Sequence, residues 1–178
     1  IHAVLKRLVA SHREEHPAVD VRSIDGLCCR GLLDSPLAGL EELSNCEQCR
    51  KVRIISYNDF TKVLGVALPG FERKAQLQLR SAGWHGTRLF WDDDNHPCEL
   101  ANAVVYARRR GLEIILPASI QRFELQAAAL DELERDFHML AMPAKAWSDA
   151  AFMALLLETG MPYARFALFN SETPESLL

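Results

Sequence analysis

The chain has 178 residues, 49% hydrophobic and 25% charged, with a formal net charge of -4. That is enough for one sizeable domain or two small ones, and the balance excludes a disordered or fibrous chain. No apolar run approaches the ~18 residues a membrane span needs, and His2, Lys6 and Arg7 interrupt the early apolar segment that a secretory signal would require.

Val4, Leu5, Leu8 and Val9 recur at helical spacing, and the opening segment reads as a helix ended by His16-Pro17. Residues 19–24 alternate and read as a short strand, Asp25-Gly26 as a turn, and Cys28-Cys29 as a loop. Asp34-Ser35-Pro36 carries capping chemistry ahead of Leu37, Leu40 and Leu43, so a helix is expected to begin there and stop at Ser44-Asn45. Residues 51–57 read as a strand, followed by a helix capped by Asn58 and Asp59 that carries Phe60, Val63 and Leu64. Pro69-Gly70 breaks the chain, and a second helix is expected from Phe71 because Phe71, Ala75, Leu79 and Ala82 fall on one stripe.

From Thr87 the pattern alternates between strand and helix. Strands are expected at 87–91, 112–118, 138–144 and 163–169, helices at 98–111, 119–137 and 147–160, and a polar tail follows. The fold class is therefore α/β or α+β. A basic half, residues 1–91, is joined at the acidic segment Asp92-Asp93-Asp94-Asn95 to a smaller strand–helix alternating half, residues 92–178.

Charge divides along the same line. Residues 50–91 hold eight Lys or Arg against two acids, Asp59 and Glu72, whereas residues 92–178 hold seven against fourteen. A local basic surplus on helical elements is how a protein meets a polyanion. The acidic half is better suited to a protein partner.

The segment LGVALPGFERKAQLQLRSAGW, continued by HGTRLFW, resembles winged helix-turn-helix modules of phage and plasmid replication and regulatory proteins, over residues 51–91. In such modules the second helix enters the major groove of DNA. The resemblance implies a mobile-element type of DNA or RNA binder, a regulator or accessory subunit of a nucleoprotein assembly. Lys51, Arg53, Arg73, Lys74, Gln76 and Arg80 would then face nucleic acid, with His85, Thr87 and Arg88 at the minor groove or backbone. Arg and Lys serve phosphate or guanine there, and Gln reads adenine. Only one strand of a wing, TRLFW, is evident.

The five cysteines are Cys28, Cys29, Cys46, Cys49 and Cys98. An odd count argues against a disulfide scaffold and for a reducing, cytoplasmic setting. Cys46-Glu47-Gln48-Cys49 has the two-residue gap that lets two thiolates share one tetrahedral metal, and Cys28 and Cys29 are the pair expected to complete a zinc site. A three-cysteine, one-histidine set is the variant, drawing on His12, His16 or His96. The competing reading leaves these thiols as small buried apolar groups.

A small α/β enzyme is the alternative function, with its site around His85 and the Asp92–His96 cluster, whose carboxylates suit metal-dependent phosphoryl chemistry. Trp84-His85-Gly86-Thr87-Arg88 also resembles the His-Gly strand of ADP-ribosyltransferases, without the tyrosine and glutamate those enzymes pair with it. A plain protein–protein interaction module is the third reading. Arg108-Arg109-Arg110 before Gly111 is expected to close a helix, where cations suit the dipole.

Overall fold

The computed structural model describes residues 2–28, 39–93, 95–140, 142, 144–160 and 162–163. The helix start expected at Asp34-Ser35-Pro36, the strand at 163–169 and the polar tail lie outside or mostly outside those residues. The described chain is a mixed α/β structure around one five-stranded mixed sheet. In chain order its elements are α1 (His2–Leu5), β1 (Val9–Asp20), β2 (Ile24–Leu27), α2 (Leu40–Ser44), α3 (Tyr57–Ala67), β3 (Leu77–Ala82), β4 (Leu89–Trp91), α4 (Pro97–Arg110), β5 (Ile115–Leu125), α5 (Ala127–Asp136) and α6 (Ala150–Glu158).

The sheet order is β1-β5-β3-β4-β2. β1 pairs antiparallel with β5, β5 parallel with β3, β3 antiparallel with β4, and β4 parallel with β2. Strands from both sides of residue 91 thus interleave in one sheet. Helices α2, α3 and α4 cover one face, where Leu40, Phe60, Leu64, Leu100 and Val104 meet Leu77, Leu79, Trp91 and Ile120 in the main core. Phe90 points the other way from its neighbour Trp91, as alternation along a strand requires. It packs with Ala82 and Phe123 in a separate small cluster. A third cluster ties α1 to α5 through Val4, Leu8, Ala129 and Leu133.

Several expected elements change type. Residues 9–16, read as helix, form most of β1, because β5 offers a partner for ten of its residues. Pro17 is tolerated there since β1 is an edge strand and the register shifts between His16 and Val19. Asp25-Gly26 is not a turn but part of β2. Its glycine is required by close approach, since a Cβ would stand 2.9 Å from the Phe90 ring. Residues 51–57 join no strand: a 3-10 turn at Cys49–Lys51 leads into an irregular run and then α3. Ser56, rather than Asn58 or Asp59, caps α3, with Asp59 completing a reciprocal capping box.

The largest correction concerns the expected second helix. Only a 3-10 turn forms at Phe71–Arg73, and Leu77–Ala82 is a strand between β5 and β4. Its sequence satisfies both periods: Leu77, Leu79 and Ser81 are buried and Gln78 is exposed, so a sheet with two neighbours to offer takes it. The helix–turn–helix arrangement read from residues 51–91 is therefore a helix, a turn and a central strand. β5 likewise extends to Leu125 into the expected helix at 119–137, and α5 starts at Ala127. No strand forms at 138–144 among the described residues. α4 and α6 form close to where they were expected, the first with Pro97 at its start and Gly111 in the left-handed region at its end (φ 65°).

Candidate functional site

The basic residues fall into two populations. Those outside residues 50–74 are largely occupied by the protein itself. Arg122 reaches Glu14 at 3.3 Å, and Arg22 bonds Asp20. Arg108 joins Glu41 at 2.6 Å while donating to the carbonyls of Arg22 and Ile24. Arg80, expected to face nucleic acid, is on the sheet with its Nε 2.7 Å from Asp92.

Around α3 the pattern reverses. Lys51, Arg53, Lys62, Arg73 and Lys74 are all exposed, and no ion pair engages any of them among the described residues. Asp59, one of the two acids of the segment, is committed to the cap: its carboxylate accepts from the Ser56 hydroxyl at 2.8 Å and from the Ser56 amide at 3.0 Å. Those bonds, the hydroxyl's first, hold its carboxyl below the usual range. Arg53 precedes α3, Lys62 lies on its outward stripe with Asn58 and Val66, and Arg73 and Lys74 follow its end. Tyr57 and Ile55 stand out beside them at 60% and 78% exposure. Beneath this surface, Phe60 is fully buried and stacks on Tyr106 of α4 with ring centroids 5.5 Å apart.

The other expected contacts are placed differently. Gln76 donates to Glu15 and accepts from Gln78, so both ends of its amide are engaged. Thr87 and Arg88 are exposed on the turn before β4, with the Arg88 guanidinium 5.2 Å from the Phe90 ring centre. His85 tilts against Phe90, and its Nε2 is buried without a hydrogen-bond partner among the described residues. Burial first, and the Arg88 charge second, push its imidazole below the ordinary value and favour the neutral ring. Asp92 is paired to Arg80, and Asp93 accepts from the amide and side chain of Asn95 in a local turn. Asp94 lies outside the described residues.

The cysteines are not gathered as expected. Cys49 is joined to Cys98 in a disulfide with Cα atoms 4.8 Å apart. Cys28 packs with Phe90 and Phe123, on the face of the sheet opposite the core that holds Cys49. Cys29 lies outside the described residues, and Cys46 is a half-buried free thiol. In this disulfide-closed state no group of three His, Cys, Asp or Glu stands ready for a metal among the described residues.

One cluster escaped sequence reasoning. His12, Glu14 and His16 alternate along β1 and so share a face, and Glu14 accepts from His12 at 2.9 Å and from His16 at 3.2 Å. The signal was present as alternating residues, but it was hidden while the segment read as helix.

Among the described residues, no helix is long and apolar enough to cross a membrane. Residues 14–178 match a family described as "Family of unknown function (DUF6685)", and the chain belongs to that family. No curated protein and no solved structure matches it.

Proposed function

We propose that this DUF6685 member binds nucleic acid through the surface of α3 and its flanks, contacting phosphates with Lys51, Arg53, Lys62, Arg73 and Lys74. The single observation behind this reading is that these cations are exposed and uncommitted, whereas the arginines elsewhere are largely spent on internal partners. Uncommitted cations give up no internal ion pair when they meet phosphate, and they release counterions from it. Exposed Tyr57 adds a flat face on which an unpaired base stacks, which favours single-stranded or looped nucleic acid over readout by a helix in the major groove. With Gln76 and Arg80 engaged elsewhere, base-specific contact is not part of the proposal. A cytoplasmic setting suits such a ligand, and there Cys49 and Cys98 would be held as thiols rather than as the disulfide.

The experiment is a binding titration against single- and double-stranded oligonucleotides at several salt concentrations. Affinity is expected to fall steeply with salt, and each cation removed lowers the log–log slope by about one. Combined reversal of Lys62, Arg73 and Lys74 to Glu is expected to weaken binding by at least about a hundredfold with the circular dichroism spectrum unchanged. A salt-independent interaction, or a reversed variant that binds like the wild type, would sink the reading.

A further inference from the structure

The geometry points to a metal site that exists only in the reduced chain: Cys46, Cys49 and Cys98 as three thiolate ligands of one Zn²⁺, with His96 as the fourth donor. It stands independently of the nucleic-acid reading.

Three observations bring these cysteines into one neighbourhood. The Cys46 carbonyl accepts the Arg50 amide at 3.0 Å, so residues 46–50 make one helical turn. Side chains three apart on such a turn are neighbours, with Cβ atoms about 5–6 Å apart. Cys98 stands beside Cys49 from the start of α4, and all three cysteines contribute to the same core, Cys49 fully buried and Cys46 and Cys98 packed against it. The backbones of Cys49 and Cys98 are also tied without the sulfur bond. The Asn102 side-chain amide donates to the Cys98 carbonyl at 2.8 Å and to the Cys49 carbonyl at 3.2 Å.

Chemistry favours the thiolates. Cys98 is the second residue of the 14-residue α4, where the positive end of the helix dipole stabilises an anion. Opening the disulfide takes two electrons and two protons from a dithiol reductant, which is itself oxidised to its disulfide. The three thiols then lose three protons as the ion binds. Two sulfurs at about 2.3 Å from a tetrahedral ion lie roughly 3.8 Å apart, so the paired side chains need only swing open. Thiolate and imidazole donors select Zn²⁺ among the common divalent ions.

His96 is the histidine nearest in sequence to the cluster, two residues before Cys98. It holds a left-handed backbone (φ 53°), rare for a residue other than glycine, and its Nδ1 lies 3.8 Å from Glu99.

The test is a Co²⁺ titration of the reduced, metal-free protein under anaerobic conditions, followed by displacement with Zn²⁺. Expected are one equivalent bound, a sulfur-to-cobalt charge-transfer band and its loss on adding Zn²⁺. Cys46→Ser should weaken binding by at least about tenfold and remove about a third of the band. His96→Ala should weaken binding by about tenfold while keeping the band, and Cys28→Ser should change nothing. Where reduction unfolds the chain, the readout is recovery of the helical circular dichroism with one equivalent of Zn²⁺. The oxidised Cys46→Ser protein serves as the folding control, since Cys46 takes no part in the disulfide. Absence of a charge-transfer band, absence of recovery, or undiminished binding by Cys46→Ser overturns the site. So does a loss caused by Cys28→Ser.

Discussion

Helix α3 and strand β1 both present polar, charged surfaces, yet they hold their charges in opposite ways. α3 is fixed from below by apolar burial of Phe60, Leu64 and Ala67, and neither its one cation, Lys62, nor Lys51, Arg53, Arg73 and Lys74 on its flanks is held in an ion pair among the described residues. β1 is fixed by backbone pairing with β5, and its face is knit by Glu14 to His12, His16 and Arg122. The difference teaches that charge density in a sequence does not define a binding surface. What defines it is whether the fold has already used the charges, and the apolar seat of α3 is what spares them.

The strongest way to break the comparison is to remove that seat. Phe60 is fully buried between the ring of Tyr57, 5.9 Å away, and that of Tyr106. Phe60→Ala leaves a cavity under the helix and is expected to destabilise the protein by about 3–5 kcal/mol. Chemical denaturation reads this directly. Arg122→Ala, which removes a part-exposed partner of Glu14, is expected to cost less than about 1 kcal/mol. Equal costs would mean that the two regions are held alike.

How much of this was legible follows from how far apart the deciding residues lie. α4 was readable because its signals are local: Pro97 at the start, then Arg108, Arg109, Arg110 and Gly111 at the end. The mixed α/β class was readable for the same reason, through alternation of short patterns. β3 was not, because Leu77–Ala82 fits either period and the choice is made by β5, whose first paired residue, Ala118, is distant in sequence. The partner of Cys49 was equally hidden, lying 49 residues away. Within the candidate site the surplus of cations showed in the sequence, but Arg80 could not be told from Lys74 until Asp92 was seen beside the first and, among the described residues, no ion pair on the second.

A smaller effect sharpens the picture at the start of α3. Ser56 and Asp59 each satisfy the other's backbone amide. Ser56→Ala is expected to lower stability by about 1 kcal/mol, since one amide at the helix start loses its acceptor. If α3 merely presents the cations, the same variant at a temperature where it stays folded should bind nucleic acid within about twofold of the wild type. A much larger loss would show that the helix start itself touches the ligand.

The smallest expected effect lies on β1 and appears only in acid. The hydrogen bond from His12, then that from His16, and the contact with Arg122, hold the Glu14 carboxyl at about 2, against an ordinary 4.5. A carboxyl lowered on folding stabilises the native state above its unfolded value. That contribution is lost as pH falls toward the folded value, because the unfolded chain takes up the proton first. Between pH 4.5 and 2 the wild type should therefore lose stability more steeply than Glu14→Gln, which cannot titrate. Because the network sits at the surface, the difference should shrink in high salt. Acid unfolding curves that superimpose for the two proteins would remove the network from the account of β1.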